Sequence, residues 1–292
     1  MPQASSPVIH PPIGTLIDGD SLELVEVLSA GQGSVVYRAV DTRRTPRLRS
    51  YAVKCLITSG HRSARQRQAH IREITLHQLA SAHPGVVTLY RVIEQYSHTY
   101  IITDYADSHD LFAQIVHDCR YLGRDDLTKV IFLQLLDAVE YCHSLCIYHQ
   151  NLTLQSIVCH DDGLRVSITD FSHATTDKLS NKFCTDSDYH ISPEWQGGAF
   201  APGGRYSPMF NDIWSLGIIL LNITTGRSPW NSATLDDPNF QAYLRDPYGF
   251  LPTVVPISSE FNEVLVRMLE VDWRERMKLR DIRHSIEELT TF

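Results

Sequence analysis

The feature that most restricts the fold of this chain is a change of hydrophobic periodicity near Asp107. From Leu22 to about Thr103, apolar and polar residues alternate as in β-strands, and one segment at helical spacing interrupts them. After Asp107, apolar residues recur at helical spacing. The sequence therefore predicts a small sheet-rich lobe, a short connector and a larger helical lobe, which is an α+β architecture.

The first lobe is predicted to hold several short strands. The segment LELVEVLSAGQGSVVYRAVD (22–41) alternates around a glycine turn and predicts a hairpin, and SYAVKCLI (50–57) predicts another strand. VVTLYRVIEQYSHTYIITDY (86–105) reads as two strands joined by a polar turn. Between these strands, RQAHIREITLHQLA (67–80) places Ile71, Ile74 and Leu79 at helical spacing.

The second lobe is predicted to be mainly helical. LTKVIFLQLLDAVEYCHSL (127–145) indicates an amphipathic helix with one apolar stripe: Leu127, Val130, Ile131, Leu135, Ala138, Val139 and Cys142. DIWSLGIILLNIT (212–224) is apolar nearly all round and predicts a helix at the centre of this lobe. Its apolar run is too short to cross a bilayer.

Composition and the chain start restrict the classes of function. A net charge of −8 disfavours non-specific nucleic-acid binding, and MPQASSPVIHPPIG shows no signal-peptide pattern. The six cysteines form no C-x-x-C pair and suit reduced, packed thiols better than zinc or disulfides. We therefore expect an intracellular protein, cytoplasmic or nuclear, with neither membrane nor nucleic acid as a partner. Residues 1–19, rich in Pro, Ser and Gly, predict a flexible lead-in.

Four local signals occur in an order that suits nucleotide binding. Gly31 and Gly33 lie in a turn whose backbone can approach phosphate, although a plain glycine hairpin explains them equally well. Lys54 follows on the next strand and Glu73 on the next helix, where a carboxylate can orient the ammonium group. Asp170 follows a short strand and suits Mg²⁺.

From Leu22 to Leu289 the chain resembles the eukaryotic protein kinase family. AGQGSVVYRA resembles its Gly-rich loop, YAVK its V-A-I-K strand, TDFS its D-F-G motif and SPE its A-P-E motif. DWRER resembles the late motif whose arginine, here Arg276, pairs with the A-P-E glutamate, here Glu194. The segments REITLHQLASAHPGVVTLYRVIE and GRSPWNSAT are most similar to fungal Ser/Thr kinases that regulate meiosis.

The resemblance implies a bilobal protein kinase-like fold over residues 20–292. Its β-rich N-lobe with the regulatory helix covers 20–103, the hinge 104–109 and the helical C-lobe 110–292. It also implies ATP and Mg²⁺ as cofactors. The implied nucleotide-binding residues are Gly31, Gly33, Val36, Ala52, Lys54, Glu73, Thr103, Asp104, Ala106, Val158 and Asp170, and Asp170 is the implied ligand of Mg²⁺. Ser29 and Ser34 replace two loop glycines, so we expect weakened ATP binding.

The catalytic loop departs from the family pattern H-R-D-L-x-x-x-N. His149 is kept, but four functional positions are substituted: Gln150, Asn151, Thr153 and Ser156. An amide at 151 cannot take a proton from a substrate hydroxyl, and losing a general base costs about 10²- to 10⁴-fold in rate. The resemblance therefore implies a pseudokinase, a binding, scaffolding or allosteric module whose partner is another protein, such as an active kinase or its substrate.

Two alternatives stay open. A different transfer reaction from ATP on the same fold has no supporting signal in the sequence. An active but atypical Ser/Thr kinase requires a nearby acid to replace the missing carboxylate. Asp161 and Asp162 follow the loop closely, but their segment HDDG predicts a hairpin tip that points to solvent. Gln150 has a second consequence, because an arginine there would receive a phosphate on the activation segment 175–187. We therefore expect a weaker phosphorylation switch.

Overall fold

The computed structural model describes residues 10–31, 34–43, 49–58, 63–184 and 188–292. The chain divides into two compact units, with unit 1 formed by Met1–Ala82 and Val87–Ala106 and unit 2 by His83–Val86 and Asp107–Phe292. Unit 1 is rich in strands and unit 2 in helices, so the predicted α+β fold class is confirmed. Within the described ranges, no helix has the length and apolarity needed to span a membrane.

Unit 1 contains an antiparallel sheet of six strands with one helix. The strands are β1 (Leu16–Ile17), β2 (Leu22–Gly31), β3 (Ser34–Asp41), β4 (Ser50–Ile57), β5 (Leu89–Gln95) and β6 (His98–Asp104), and the helix is α1 (Ala64–Ala80). They are ordered β1-β2-β3-β4-β6-β5. Buried and half-buried residues alternate along β3, as the sequence pattern predicts, and the β2–β3 hairpin is formed.

The predicted lead-in is described from His10 onward, and this part packs against the sheet. β1 pairs with β2, and Ile17 is only 1% exposed. The hydroxyl of Tyr37 donates to the carbonyl of Pro11 at 2.7 Å. Ile17 therefore belongs to the hydrophobic core of unit 1, whereas residues 1–9 lie outside the described ranges.

Helix α1 forms where predicted, but its buried face differs from the expected stripe. Its N-terminus is closed by a capping box between Ser63 and Gln66. Ile71 and Leu79 are 58% and 56% exposed. The buried side instead carries Glu73, Leu76, His77 and Ala80. Because Glu73 and His77 are buried, the buried face of α1 differs from the face predicted from the spacing of apolar residues alone.

Unit 2 contains seven helices in its described residues and one two-stranded hairpin. The helices are α2 (Leu111–Val116), α3 (Asp125–Ser144), α4 (Pro208–Thr225), α5 (Pro238–Arg245), α6 (Pro247–Val254), α7 (Ser259–Met268) and α8 (Leu279–Glu288). The hairpin pairs β7 (Ile157–His160) with β8 (Arg165–Ile168). Helix α4 is buried along nearly its whole length, as predicted. On α3, Val130 is 51% exposed, so that member of the predicted stripe is wrong.

Candidate functional site

In unit 1, Lys54 and Glu73 form the ion pair that the resemblance implies. The ammonium Nζ of Lys54 donates to Oε1 of Glu73 at 2.5 Å. Glu73 lies on the buried side of α1, and its side chain is 7% exposed, whereas that of Lys54 is 21% exposed. The pair holds the end of the lysine side chain in place at the partly exposed face of β4.

Strand register places the other unit 1 candidates beside this lysine. Val36 lies directly opposite Lys54 in the β3–β4 pair, and Ala52 lies opposite Thr103 in the β4–β6 pair. Directly opposed residues share one face of a sheet. Val36, Ala52 and Lys54 are half-buried on the face opposite the unit 1 core, and the Thr103 hydroxyl donates to the carbonyl of Ala52 at 3.3 Å. This apolar face beside a fixed cation fits a nucleotide.

The remaining unit 1 candidates lie at the two ends of this region. Gly31 ends β2, and Gly33 falls outside the described residues. Asp104 ends β6, and its backbone N–H donates to the carbonyl of Thr88 at 2.9 Å. Ala106 is the last residue of unit 1.

In unit 2, a buried carboxylate fixes the backbone of the catalytic-loop segment. Asp212, at the start of α4, accepts the backbone N–H of His149 at 2.9 Å and that of Gln150 at 2.6 Å. It also accepts Nε2–H of His143 at 2.9 Å, and Asn211 donates to the carbonyl of Gln150 at 2.9 Å. These hydrogen bonds fix the backbone of the loop although its functional residues are replaced. We call the buried residues that make such contacts the frame of the loop.

His149 also belongs to this frame. Its Nε2–H donates to the carbonyl of Thr169 at 2.9 Å, and its ring lies edge-on to Phe171 with ring centroids 4.9 Å apart. Burial lowers the pKa of His149 despite the opposing charge of Asp212. The imidazole is therefore neutral at pH 7 and acts as a packing and hydrogen-bonding group.

Thr153 and Ser156 are occupied by bonds within the loop. Oγ1 of Thr153 accepts the N–H of Ser156 at 3.2 Å, and Oγ of Ser156 accepts the N–H of Thr153 at 2.9 Å. The Ser156 hydroxyl has the carbonyl of Asn151 at 3.0 Å as an acceptor, and Ser156 is 4% exposed. A metal ion at Ser156 would have to displace these bonds.

The acids nearest in sequence to Asn151 lie at the opposite end of β7. Asp161 and Asp162 form the turn between β7 and β8, where their side chains are 66% and 81% exposed. Asp161 pairs with Arg165, and Asp162 pairs with Arg120, both at 3.1 Å. The strand β7 spans about 13 Å, at about 3.3 Å per residue, between the loop and this turn. Neither acid is placed to replace the carboxylate missing at Asn151.

Asp170 and Val158, the unit 2 candidates for nucleotide and metal binding, lie beside the catalytic loop. Asp170 follows β8 with a positive φ of 64°, and Val158 is half-buried on β7. Among the described residues, no group of three or more His, Cys, Asp or Glu side chains is arranged to hold a metal ion. With Ser156 bonded inside its own loop, Asp170 is the one predicted oxygen ligand for Mg²⁺, so the residues present fit a nucleotide better than a fully ligated Mg²⁺.

Glu194 and Arg276 form the second ion pair that the resemblance implies. The guanidinium donates to both carboxylate oxygens, at 2.6 and 2.9 Å, and both side chains are 0% exposed. Arg276 also donates to the carbonyls of Phe210 and Glu270, at 2.7 and 2.8 Å. The guanidinium therefore donates four hydrogen bonds, which offset the cost of burying its charge.

Sequence reasoning missed Asp212 and Asn211 as the residues that hold the loop. The available signal was an amide and a carboxylate in the first turns of an otherwise apolar helix. A buried carboxylate is stable inside a protein only when hydrogen-bond donors surround it.

Comparison with known proteins gives one family. The sequence profile described as "protein kinase domain" matches residues 22–286. The "Negative regulator of sexual conjugation and meiosis" of Schizosaccharomyces pombe is 34% identical over 282 residues, which are 90% of this chain and 59% of that protein.

Two further fungal relatives are similar. The serine/threonine-protein kinase VHS1 of Saccharomyces cerevisiae is 31% identical over 234 residues, which are 76% of this chain and 50% of VHS1. The serine/threonine-protein kinase ksp1 of S. pombe is 30% identical over 273 residues, which are 90% of this chain and 56% of ksp1. The chain thus spans half to three-fifths of the length of these relatives.

Proposed function

The chain belongs to the protein kinase family, and from that premise we propose that it is a pseudokinase, a kinase-fold binding domain with lost or very weak phosphotransfer. It acts on other proteins by scaffolding or by allosteric regulation, and its partner is an active kinase or a substrate of one. Its place of action is the cytoplasm or the nucleus.

The observation that carries this proposal is the state of the substituted loop. Phosphotransfer needs a carboxylate, a cation and a metal-binding amide along this segment. The chain has Asn151, Thr153 and Ser156 there, and the last two bond to each other and to the loop backbone. The polar groups of Thr153 and Ser156 therefore bond within the loop and are not directed at a reacting phosphate.

The surrounding frame supports a role in binding. Asp212 fixes the loop backbone, and Arg276 fixes Glu194 in the SPE motif that follows the activation segment. These buried polar contacts keep a defined surface without requiring chemistry. The name of the S. pombe relative, a negative regulator of sexual conjugation and meiosis, is compatible with a regulatory role.

ATP binding is retained in this proposal, and titration with ATP is expected to stabilise the chain. At an ATP concentration ten times the dissociation constant, the gain is about 1.4 kcal/mol, or a few degrees in Tm. The reason is the intact Lys54–Glu73 pair beside the apolar face at Val36 and Ala52. Differential scanning fluorimetry with and without Mg²⁺ measures the shift.

Two variants make this titration specific. Lys54→Met should abolish the ATP-dependent shift, whereas Lys178→Met, which changes an exposed lysine of unit 2, should leave it intact. No shift of the unmodified chain at millimolar ATP would rule out the nucleotide-binding part of the proposal.

The alternative function, an active atypical Ser/Thr kinase, is favoured by the same ion pair. A lysine held 2.5 Å from a glutamate is the arrangement that active kinases use to orient phosphates. Phosphate transfer to generic protein substrates separates the two functions. Transfer above that of Lys54→Met favours the active kinase, and transfer equal to it favours the pseudokinase.

A further inference from the structure

Gln150 occupies the position at which the family has an arginine, and its side chain bridges two other segments of unit 2. Nε2–H of Gln150 donates to the carbonyl of His173 at 2.8 Å, two residues before the activation segment. Oε1 of Gln150 accepts the hydroxyl of Tyr206 at 2.5 Å. Gln150 is 8% exposed, and its bond to Tyr206 is buried, whereas its bond to His173 is partly buried.

Tyr206 extends the connection to the middle of the activation segment. Its backbone exchanges two hydrogen bonds with Ser180, each of 2.9 Å. Its hydroxyl oxygen also lies 3.2 Å from the carbonyl of Lys182, which accepts Nε1–H of Trp195 at 3.2 Å. The ring of Tyr206 is 1% exposed and lies against Phe183. The segment is therefore attached near residues 173, 180 and 182.

These attachments are made by neutral groups. An arginine at position 150 would bring five donors, a permanent charge and no acceptor, so it would need an anion such as phosphate nearby. A carboxamide offers one donor side and one acceptor side, which match the His173 carbonyl and the Tyr206 hydroxyl. Burial raises the pKa of Tyr206, so its hydroxyl keeps its proton at neutral pH.

We propose that Gln150 and Tyr206 are positioning residues that hold residues 173–184, which include the described part of the activation segment, in a fixed arrangement without phosphorylation. The inference rests on the proposed function, because a domain that works by binding benefits from a surface ordered without modification. The segment is then permanently ordered, and kinases acting on it do not control its order.

Hydrogen–deuterium exchange of peptides covering 173–184 tests this proposal on the full chain. In Tyr206→Phe, which removes one hydroxyl, exchange in this segment should become about threefold to tenfold faster. Tyr243→Phe is the matched control, because it removes a buried hydroxyl that donates to the carbonyl of Leu269 at 2.8 Å. That variant should leave exchange in 173–184 unchanged, and equal effects of the two variants would overturn the proposal.

A second pair of samples tests independence from phosphate. Phosphatase treatment of the unmodified chain should leave protection of 173–184 unchanged, and a clear loss of protection would contradict the proposal. The variant Gln150→Arg should depend on phosphate. After phosphatase treatment, residues 173–184 of this variant should exchange faster than the same residues of the unmodified chain. If dephosphorylated Gln150→Arg is as well protected as the unmodified chain, the neutral bridge is not what orders the segment. None of these measurements uses phosphotransfer. They can therefore contradict the proposal for Gln150 and Tyr206 while the pseudokinase proposal stands, and a phosphotransfer assay can contradict the pseudokinase proposal while the proposal for these two residues stands.

Discussion

Combining Asn151→Asp, Thr153→Lys and Ser156→Asn in one variant is expected to raise the phosphotransfer rate at least about 100-fold above that of the unmodified chain. The carboxylate restores a general base, the ammonium stabilises charge on the transferring phosphoryl group, and the amide supplies a metal ligand. Initial rates with a generic Ser/Thr substrate peptide, ATP and Mg²⁺ measure the effect.

The frame around the loop should accept these three changes. Asp212 and Asn211 bind the loop through backbone atoms of His149 and Gln150, which the substitutions leave in place. The exchange does break the mutual bonds of Thr153 and Ser156, at a cost of about 1 kcal/mol, as for a lost helix cap. A thermal melt checks that the variant is folded.

The matched control keeps the lysine and the amide but carries Asn151→Ala. It should remain at the rate of the unmodified chain, because three residues that act as a unit lose their effect when one is absent. A folded triple variant with no gain over the unmodified chain would mean that the catalytic defect lies outside these three positions.

Arg276→Met is expected to lower the free energy of unfolding by about 3–5 kcal/mol. The substitution leaves the carboxylate of Glu194 buried at 0% exposure without its bidentate partner. The carbonyls of Phe210 and Glu270 lose their donors as well. Urea unfolding followed by tryptophan fluorescence measures the loss, and Trp214 is a suitable reporter because the guanidinium lies 5.0 Å from its ring centroid.

Two comparisons show whether the unpaired buried charge of Glu194 causes the loss of stability in Arg276→Met. Adding Glu194→Gln to Arg276→Met should recover much of the loss, because it removes the uncompensated carboxylate. Asp272→Asn breaks the exposed pair with Arg274 and should cost less than about 1 kcal/mol. If Arg276→Met costs no more than Asp272→Asn, the buried pair does not support the fold as described here.

The sequence predicted the elements whose formation depends on periodicity. The β2–β3 hairpin, the helix α1 and the buried helix α4 all form where the pattern of apolar residues indicated. The order of strand and helix already indicated Glu73 as a carboxylate that could orient the ammonium group of Lys54. The pair of Arg276 with Glu194 could be expected only from the family resemblance, because the spacing of single charges along a chain does not identify partners.

Other features could not be predicted because they depend on packing. Ile71 and Leu79 satisfy helical spacing yet remain exposed, since Glu73 and His77 take the buried side of α1. Residues 10–17 look like a loose lead-in from composition, but Ile17 completes the core of unit 1. Gln150 was expected only as a lost phosphate receiver, and its bonds to His173 and Tyr206 depend on side chains far away in sequence.

In the proposed pseudokinase, the residues that fix the catalytic loop are kept and the catalytic groups are replaced at one short segment. Asp212, Glu194 and Arg276 keep their buried hydrogen bonds, whereas the loop from Asn151 to Ser156 bonds to itself. These preserved contacts support the proposal of a domain kept for binding.

The most direct measurement is a single-turnover transfer experiment with the unmodified chain in excess over γ-labelled ATP and a substrate peptide. Lys54→Met, purified in the same way, supplies the background from contaminating kinases. We predict that labelled peptide forms no faster with the unmodified chain than with Lys54→Met. Transfer by the unmodified chain that clearly exceeds this background, and that disappears in Asn151→Ala, would show that an amide at this position supports catalysis and would contradict the account.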